Sequence, residues 1–247
     1  MTEPAPDVTI ADTVRWLHDE GLVRLAGVAG RTTETLVAYT VDVATGTVSA
    51  HPATGAGIGA DVVSLAADDL PYPVGTAKRL VVVGVTNADM VLVVDLAATL
   101  AITINADHPE QAARSWVLQL LLNPEITVTT NSSDVAVGSS ARLRQSFIPG
   151  GGATLVNIDD TRPPVTAVTL NATTDGPDHL DVNADGTGEM YLGARFWQLR
   201  QVMRIEDAAW SALAARLDSA AEDDLDQPGT GYAISSQPAE RLSESSR

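Results

Sequence analysis

The chain has 247 residues, of which 45% are hydrophobic and 4% aromatic, and this composition excludes wholesale disorder. It has no cysteine, which excludes disulfides and thiolate metal sites, and its formal net charge of −17 disfavours binding to nucleic acid or to anionic membrane surfaces. The apolar residues are mostly Val, Leu, Ala and Ile, which favours a sheet covered by helices.

The N-terminal part predicts one helix followed by a hairpin. Apolar residues recur at helical spacing over residues 9–20, and Gly21 is the expected end of that helix. Residues 34–43 and 47–51 have strand character with period-two alternation and are separated by a short turn. We assign residues 1–60 to this N-terminal element.

The following part predicts an α/β body over residues 61–224. A helix is expected over residues 109–122, with Asp107 as its cap and Pro109 in its first turn. One face of this helix is apolar and is expected to pack on the sheet: Ala113, Trp116, Val117 and Leu120. The strands expected before and after it are 80–85, 90–95, 100–104, 125–130, 154–158, 165–170 and 179–182.

The end of the chain is less regular. A helical turn is expected at 139–146 and a closing helix at 206–217, while 189–205 fits either a helix or a strand. Residues 225–247 are acidic and Ser-rich, which predicts a disordered tail. No apolar run is long enough to cross a bilayer and the N-terminus lacks signal-peptide features, so we expect a cytoplasmic protein without membrane insertion.

One passage resembles a known family. Leu70-Pro71-Tyr72-Pro73, the strand 80–85, the run 91–96 and the strand 102–105 lead into the long helix. This layout, over roughly residues 35–217, resembles the α/β region of large actinobacterial proteins that carry LysM or bacterial transcriptional activator domains. Ala106-Asp107 stands where those proteins have Gly-Asp.

More remotely, the layout is similar to one lobe of FtsK/SpoIIIE-type P-loop ATPases. The resemblance implies an α/β fold, or an α+β one, with a Rossmann-like or degenerate P-loop-like sheet and flanking helices. Residues 105–110 stand at the place of the phosphate loop, and they contain no Gly, Lys, Ser or Thr. We therefore expect the nucleotide site to have been lost.

Two acidic motifs are candidate metal ligands. Asp159 and Asp160 end an apolar strand, as the carboxylates of a Walker B segment do, although strands also end in Asp because it forms turns. Asp181, Asn183 and Asp185 match the first half of a calcium loop. Since Leu192 occupies the place of the bidentate Glu, we favour a hairpin turn there, and no cofactor is expected.

The functional expectation is a non-catalytic protein-interaction or scaffold module of an envelope-associated or regulatory assembly. No Ser/His/Asp grouping or metal-binding His pair is evident, so no catalytic residue is assigned. The partner is expected to be another protein or a second copy of the chain. Trp16, on a short terminal helix, is the candidate interface residue, with core packing as the favoured alternative. Two other functions stay open: a nucleotide-binding, ATPase-like protein, and a phage-type or secreted structural subunit that self-assembles.

Overall fold

The computed structural model describes residues 8–53, 62–73, 79–137, 140–147, 154–158, 166–172 and 176–226. The helices in these ranges are α1 (Ile10–Trp16), α2 (Leu22–Ala29), α3 (Pro109–Leu121) and α4 (Asp207–Asp226). The strands are β1 (Leu36–Asp42), β2 (Val48–Pro52), β3 (Val63–Leu65), β4 (Leu80–Thr86), β5 (Met90–Asp95), β6 (Ala101–Asn105), β7 (Val128–Thr130), β8 (Leu143–Gln145), β9 (Thr154–Ile158), β10 (Thr166–Leu170), β11 (His179–Val182), β12 (Gly188–Leu192) and β13 (Arg195–Val202).

All these strands belong to one sheet, in the order β3-β2-β1-β5-β4-β13-β12-β11-β6-β10-β9-β7-β8. Among the described strands, parallel pairing is confined to β6 with β10, β6 with β11, and β7 with β8. The expectation of a mixed α/β protein is therefore confirmed. A Rossmann sheet is mostly parallel, whereas this one is mostly antiparallel, so the Rossmann-like or P-loop-like assignment is not confirmed.

Each face of the sheet has its own hydrophobic core. The α1–α2 region covers one face of β1, β2, β4 and β5, where Leu17, Leu25, Tyr39 and Val93 are fully buried. The opposite face packs against α3 and α4 and extends along most of the sheet. Successive residues of β5 alternate between the two cores, since Val91 and Val93 face one and Leu92 and Val94 the other.

The sheet is strongly curled around the core on its α3 and α4 face. β2 and β13 are separated in the sheet by β1, β5 and β4, which in a flat sheet would place them about 19 Å apart. The rings of His51 on β2 and Trp197 on β13 nevertheless meet edge to face, with centroids 5.3 Å apart. The predicted N-terminal hairpin is thus continuous with the body's sheet through β1 and β5.

Helix α3 is held by polar contacts as well as by its apolar face. The Gln119 side chain donates to the carbonyl of Val82 at 3.0 Å and accepts from the amide of Val82 at 2.7 Å, as a neighbouring strand would. The buried Arg114 donates to the carbonyl of Asp134 and pairs with Asp207 at the start of α4. These contacts fix α3 between the sheet, a loop and α4.

Two predictions of secondary structure are corrected, and one open alternative is decided. The first helix does not end at Gly21 but continues through the π-helical segment Leu17–Gly21 into α2. Within 139–146, Leu143–Gln145 form strand β8 rather than a helical turn, because they pair with β7. Residues 189–205 form mainly strands, parts of β12 and β13, since each finds an antiparallel partner.

Helix α4 runs two residues into the predicted tail, and residues 227–247 lie outside the described part. The predicted strands around β4, β5 and β6 are confirmed, as is the buried apolar face of α3. Of the helices in the described residues, none combines the length and hydropathy that a bilayer span requires.

Candidate functional site

An apolar concave surface lies between α1 and the end of the β1–β2 hairpin. It has a volume of about 390 Å³, within the range of small ligand sites. We call it the Trp16 groove, and its lining is Val8, Asp12, Thr13, Trp16, Val41, Val43, Ala44, Thr45, Gly46 and Ala67. The helical residues recur at spacings that share one helix face, while Val41 lies on β1 and Val43 begins the turn after it.

The polar groups of this groove are bonded within the chain. Thr13 donates its hydroxyl to the carbonyl of Thr9 at 3.2 Å, and Thr45 donates its hydroxyl to Asp42 at 2.9 Å. Asp12 forms a capping box with Thr9. With these hydroxyls already engaged, the groove offers apolar side chains to a ligand and no activated nucleophile.

Trp16 is fixed in place by an unusual turn of helix. Its indole N–H donates to Glu20 at 2.9 Å, and it directly precedes the π-helical segment Leu17–Gly21. A methyl group on Gly21 would lie only 3.0 Å from ring carbon Cζ3 of Trp16, so this glycine makes room for the indole. Single π-helical turns are frequent at functional sites. The sequence pattern predicts a helix end at Gly21 and gives no sign of this role, because an α-helical period does not bring residues five apart together.

Hydrogen bonds lower the pKa of two carboxylates beside the groove. Hydrogen bonds from Thr9 lower the pKa of Asp12 below its usual value, and hydrogen bonds from Thr45 do the same for the pKa of Asp42. Asp68 and Asp69, both exposed, directly follow the lining residue Ala67. The groove is therefore apolar at its centre and negatively charged at its edge.

A second, more polar cleft of about 250 Å³ lies at the start of α3. Its lining includes Asp107, His108 and Arg204. Asp107 and His108 belong to the segment that the remote resemblance aligns with a phosphate loop. His108 rather than Asp107 occupies the N-cap position, without a side-chain cap bond, so the predicted cap is wrong. The nearby Asn105 side chain donates to Asp181 at 2.8 Å, and His108 Nδ1 lies 3.2 Å from Glu110.

The predicted calcium half-loop forms the turn between β11 and β12. Asp185 accepts hydrogen bonds from the amide and the hydroxyl of Thr187, and Asn183 donates its side-chain amide to the same hydroxyl at 2.9 Å. Gly186 has a φ of +88°, which L side chains rarely adopt. Asp181 instead accepts from Asn105, whereas Asn183 and Asp185 both bond Thr187, so the three side chains do not converge on one point.

The other predicted metal ligands, Asp159 and Asp160, lie outside the described residues, immediately after β9. In the described ranges, no three His, Asp or Glu side chains are grouped as a metal site would need.

His51 is a half-buried titratable group to which no sequence motif pointed. Burial, with a contribution from the positive charge of Arg195, lowers its pKa to about 4. Its Nε2 lies 3.0 Å from the hydroxyl of Thr40, and its ring packs on Trp197. Only the curl of the sheet creates this environment, so no sequence pattern could have revealed it.

Stability is expected to fall as pH is lowered from about 6.5 towards 4. In this window His51 is protonated in the unfolded chain but stays neutral in the folded chain. Proton binding therefore lowers the free energy of the unfolded state relative to the folded one. The effect is about 1–2 kcal/mol once solvent screening is allowed for. Urea unfolding across this pH range tests it, because His51→Gln should reduce the pH dependence of stability. Equal slopes for wild type and His51→Gln would contradict the assignment.

Comparisons with known proteins identify no relative. No family model matches the sequence, and neither the curated proteins nor the solved structures contain a significant match to the chain.

Proposed function

We propose that this protein is a non-catalytic interaction module that binds another protein through the Trp16 groove. The observation that carries the proposal is an apolar groove whose aromatic wall is held in place before any ligand arrives. Rigid aromatic side chains in such positions are typical binding anchors, because little conformational entropy is lost when a partner packs on them.

The second cleft supports this proposal rather than the nucleotide-binding alternative. Its loop holds Asp107 and Glu110, whose charges repel a triphosphate, and it lacks the lysine that would reach the phosphates. A remote relation to P-loop domains, with the nucleotide site lost, and a cytoplasmic location both remain part of the proposal.

Photo-crosslinking tests the proposed function. A benzophenone amino acid at Val43, inside the groove, should give specific adducts with one protein in the cells that produce this chain. The same group at Leu100, which is 83% exposed, serves as the position control. An adduct between two copies of the chain would identify self-association as the interaction. Equal adduct patterns from both positions, or none from Val43, would refute the groove as an interface.

Trp16→Ala should weaken binding of the captured protein by at least about tenfold in Kd, since anchor aromatics carry a large share of the binding energy. Tyr72→Ala is the matched control, because Tyr72 is 81% exposed and does not line the groove. The two variants are compared by calorimetry after their folding has been checked by thermal melts. Equal Kd values for both would remove Trp16 from the interface.

A further inference from the structure

The charge beside the Trp16 groove is unbalanced. Asp12 lines the groove, Glu20 accepts the hydrogen bond of the Trp16 indole, and three further aspartates are close to lining residues in the sequence. We call these five carboxylates the acidic rim: Asp12, Glu20, Asp42, Asp68 and Asp69. The nearby basic residues already have acidic partners. Arg15 lies 3.4 Å from Asp12, and Arg24 lies 3.8 Å from Glu20.

The rim therefore presents two kinds of negative charge. Asp12 and Glu20 are partly neutralised by their arginines, whereas Asp68 and Asp69 are exposed on a short 3-10 turn that links the groove to the following segment. Asp42, between the lining residues Val41 and Val43, is held ionised by Thr45. The whole chain adds to this field with its net charge of −17.

The apolar centre of the groove sets a second requirement for a partner that binds there. Val41, Val43, Ala67 and the ring of Trp16 form apolar walls, and the hydroxyls of Thr13 and Thr45 are engaged. If the bound segment were purely basic, these walls would stay in contact with water. If it were purely apolar, it would bring no positive charge to the acidic rim. Burying a partner's acidic group next to the rim would be costly, because like charges repel.

From this complementarity we infer that the groove's occupant is a protein segment with one or two large apolar side chains flanked by arginine or lysine. The inference rests on the proposed function and adds the partner's chemistry to it. The apolar side chains enter the groove against Trp16, and the flanking cations lie over the acidic rim, where they raise the association rate and select against acidic segments.

The test uses three capped, fluorescently labelled peptides with the same leucine-rich centre. They carry arginines, glutamines or glutamates at both ends. Fluorescence polarisation gives the Kd of each peptide for the full chain at low and high salt. The indole N–H signal of Trp16 in two-dimensional NMR, assigned with Trp16→Phe, reports whether binding occurs in the groove.

The arginine peptide should bind at least about threefold more tightly than the glutamine peptide at low salt, and the difference should shrink at high salt. It should shift the Trp16 signal, and the glutamate peptide should bind most weakly. The double variant Asp68→Asn, Asp69→Asn should raise the Kd of the arginine peptide by about three- to tenfold and leave the Kd of the glutamine peptide unchanged. The fold should not be affected, because neither side chain makes a described hydrogen bond.

Equal affinities for the arginine and glutamine peptides, both shifting Trp16, would overturn the inference about charge while leaving the groove as an interface. An arginine peptide that binds Trp16→Ala as tightly as wild type would also overturn it, because the attraction would then be to the acidic protein as a whole. Absence of any shift at Trp16 with all three peptides would overturn the inference as well. The failure of the proposed function itself is read separately, from the photo-crosslinking at Val43.

Discussion

Leu120→Ala is expected to lower the free energy of unfolding by about 2–5 kcal/mol, the range for emptying a buried leucine site. Leu120 is 2% exposed and lies on the face of α3 that packs against the sheet, with Trp116 and Val117 beside it. Loss of its side chain leaves a cavity between helix and sheet that neither can fill without moving. Urea unfolding measures the change.

The control for this variant is His108→Ala at the start of the same helix. His108 is largely exposed and makes no side-chain cap bond, so its removal should change stability by no more than about 0.5 kcal/mol. A neutral Leu120→Ala would mean that α3 does not contribute to the main core. A stability loss as large for His108→Ala would show that the second cleft holds more of the fold together than its contacts indicate.

Gly84→Ala is expected to cost about 3 kcal/mol or more, because the added methyl group meets backbone and not a movable side chain. Its carbon would lie 2.3 Å from the carbonyl oxygen of Gln201 and 3.1 Å from the Cα of Val202. The pairing of β4 with both β5 and β13 changes register here, so the strands approach closely at a bulge. The measurement is again urea unfolding.

Gly30→Ala provides the matched comparison. The nearest atom to a methyl group at Gly30 is the carbonyl oxygen of Gly27 at 3.6 Å, an ordinary contact, and its φ of −69° suits alanine. This change should leave stability within about 0.5 kcal/mol. If Gly84→Ala proved equally neutral, the close approach of β4 and β13 would be wrong.

Much of the local structure could be predicted from the sequence because it depends on neighbouring residues. Period-two alternation was enough for the β1–β2 hairpin, and helical spacing with Pro109 in the first turn was enough for α3. The turn at Asp185-Gly186 follows from the same kind of local chemistry, since the glycine tolerates a positive φ and the carboxylate bonds Thr187, directly before the next strand. In each case the signal lies within a few residues of the structure that it specifies.

Only part of the candidate site could be predicted from such local sequence patterns. Trp16 could be singled out as an aromatic residue on a short helix, but the groove around it is made by Val43 and Ala67, which come from elsewhere in the chain. The role of Gly21 depends on a π-helical turn, which has no signature in an α-helical pattern.

By itself, then, the sequence determined the type and approximate extent of the strongly periodic elements, the acidic charge and the absence of a phosphate loop at residues 105–110. The tertiary structure alone decided the strand order, the mostly antiparallel pairing, the strand at Leu143–Gln145 and the burial of His51 against Trp197. Strand order is settled by pairings between distant residues, and a strand's own pattern is satisfied by any neighbour that covers its apolar face. The groove depends on the same long-range choices, because its walls come together only after the sheet and the N-terminal helices have packed.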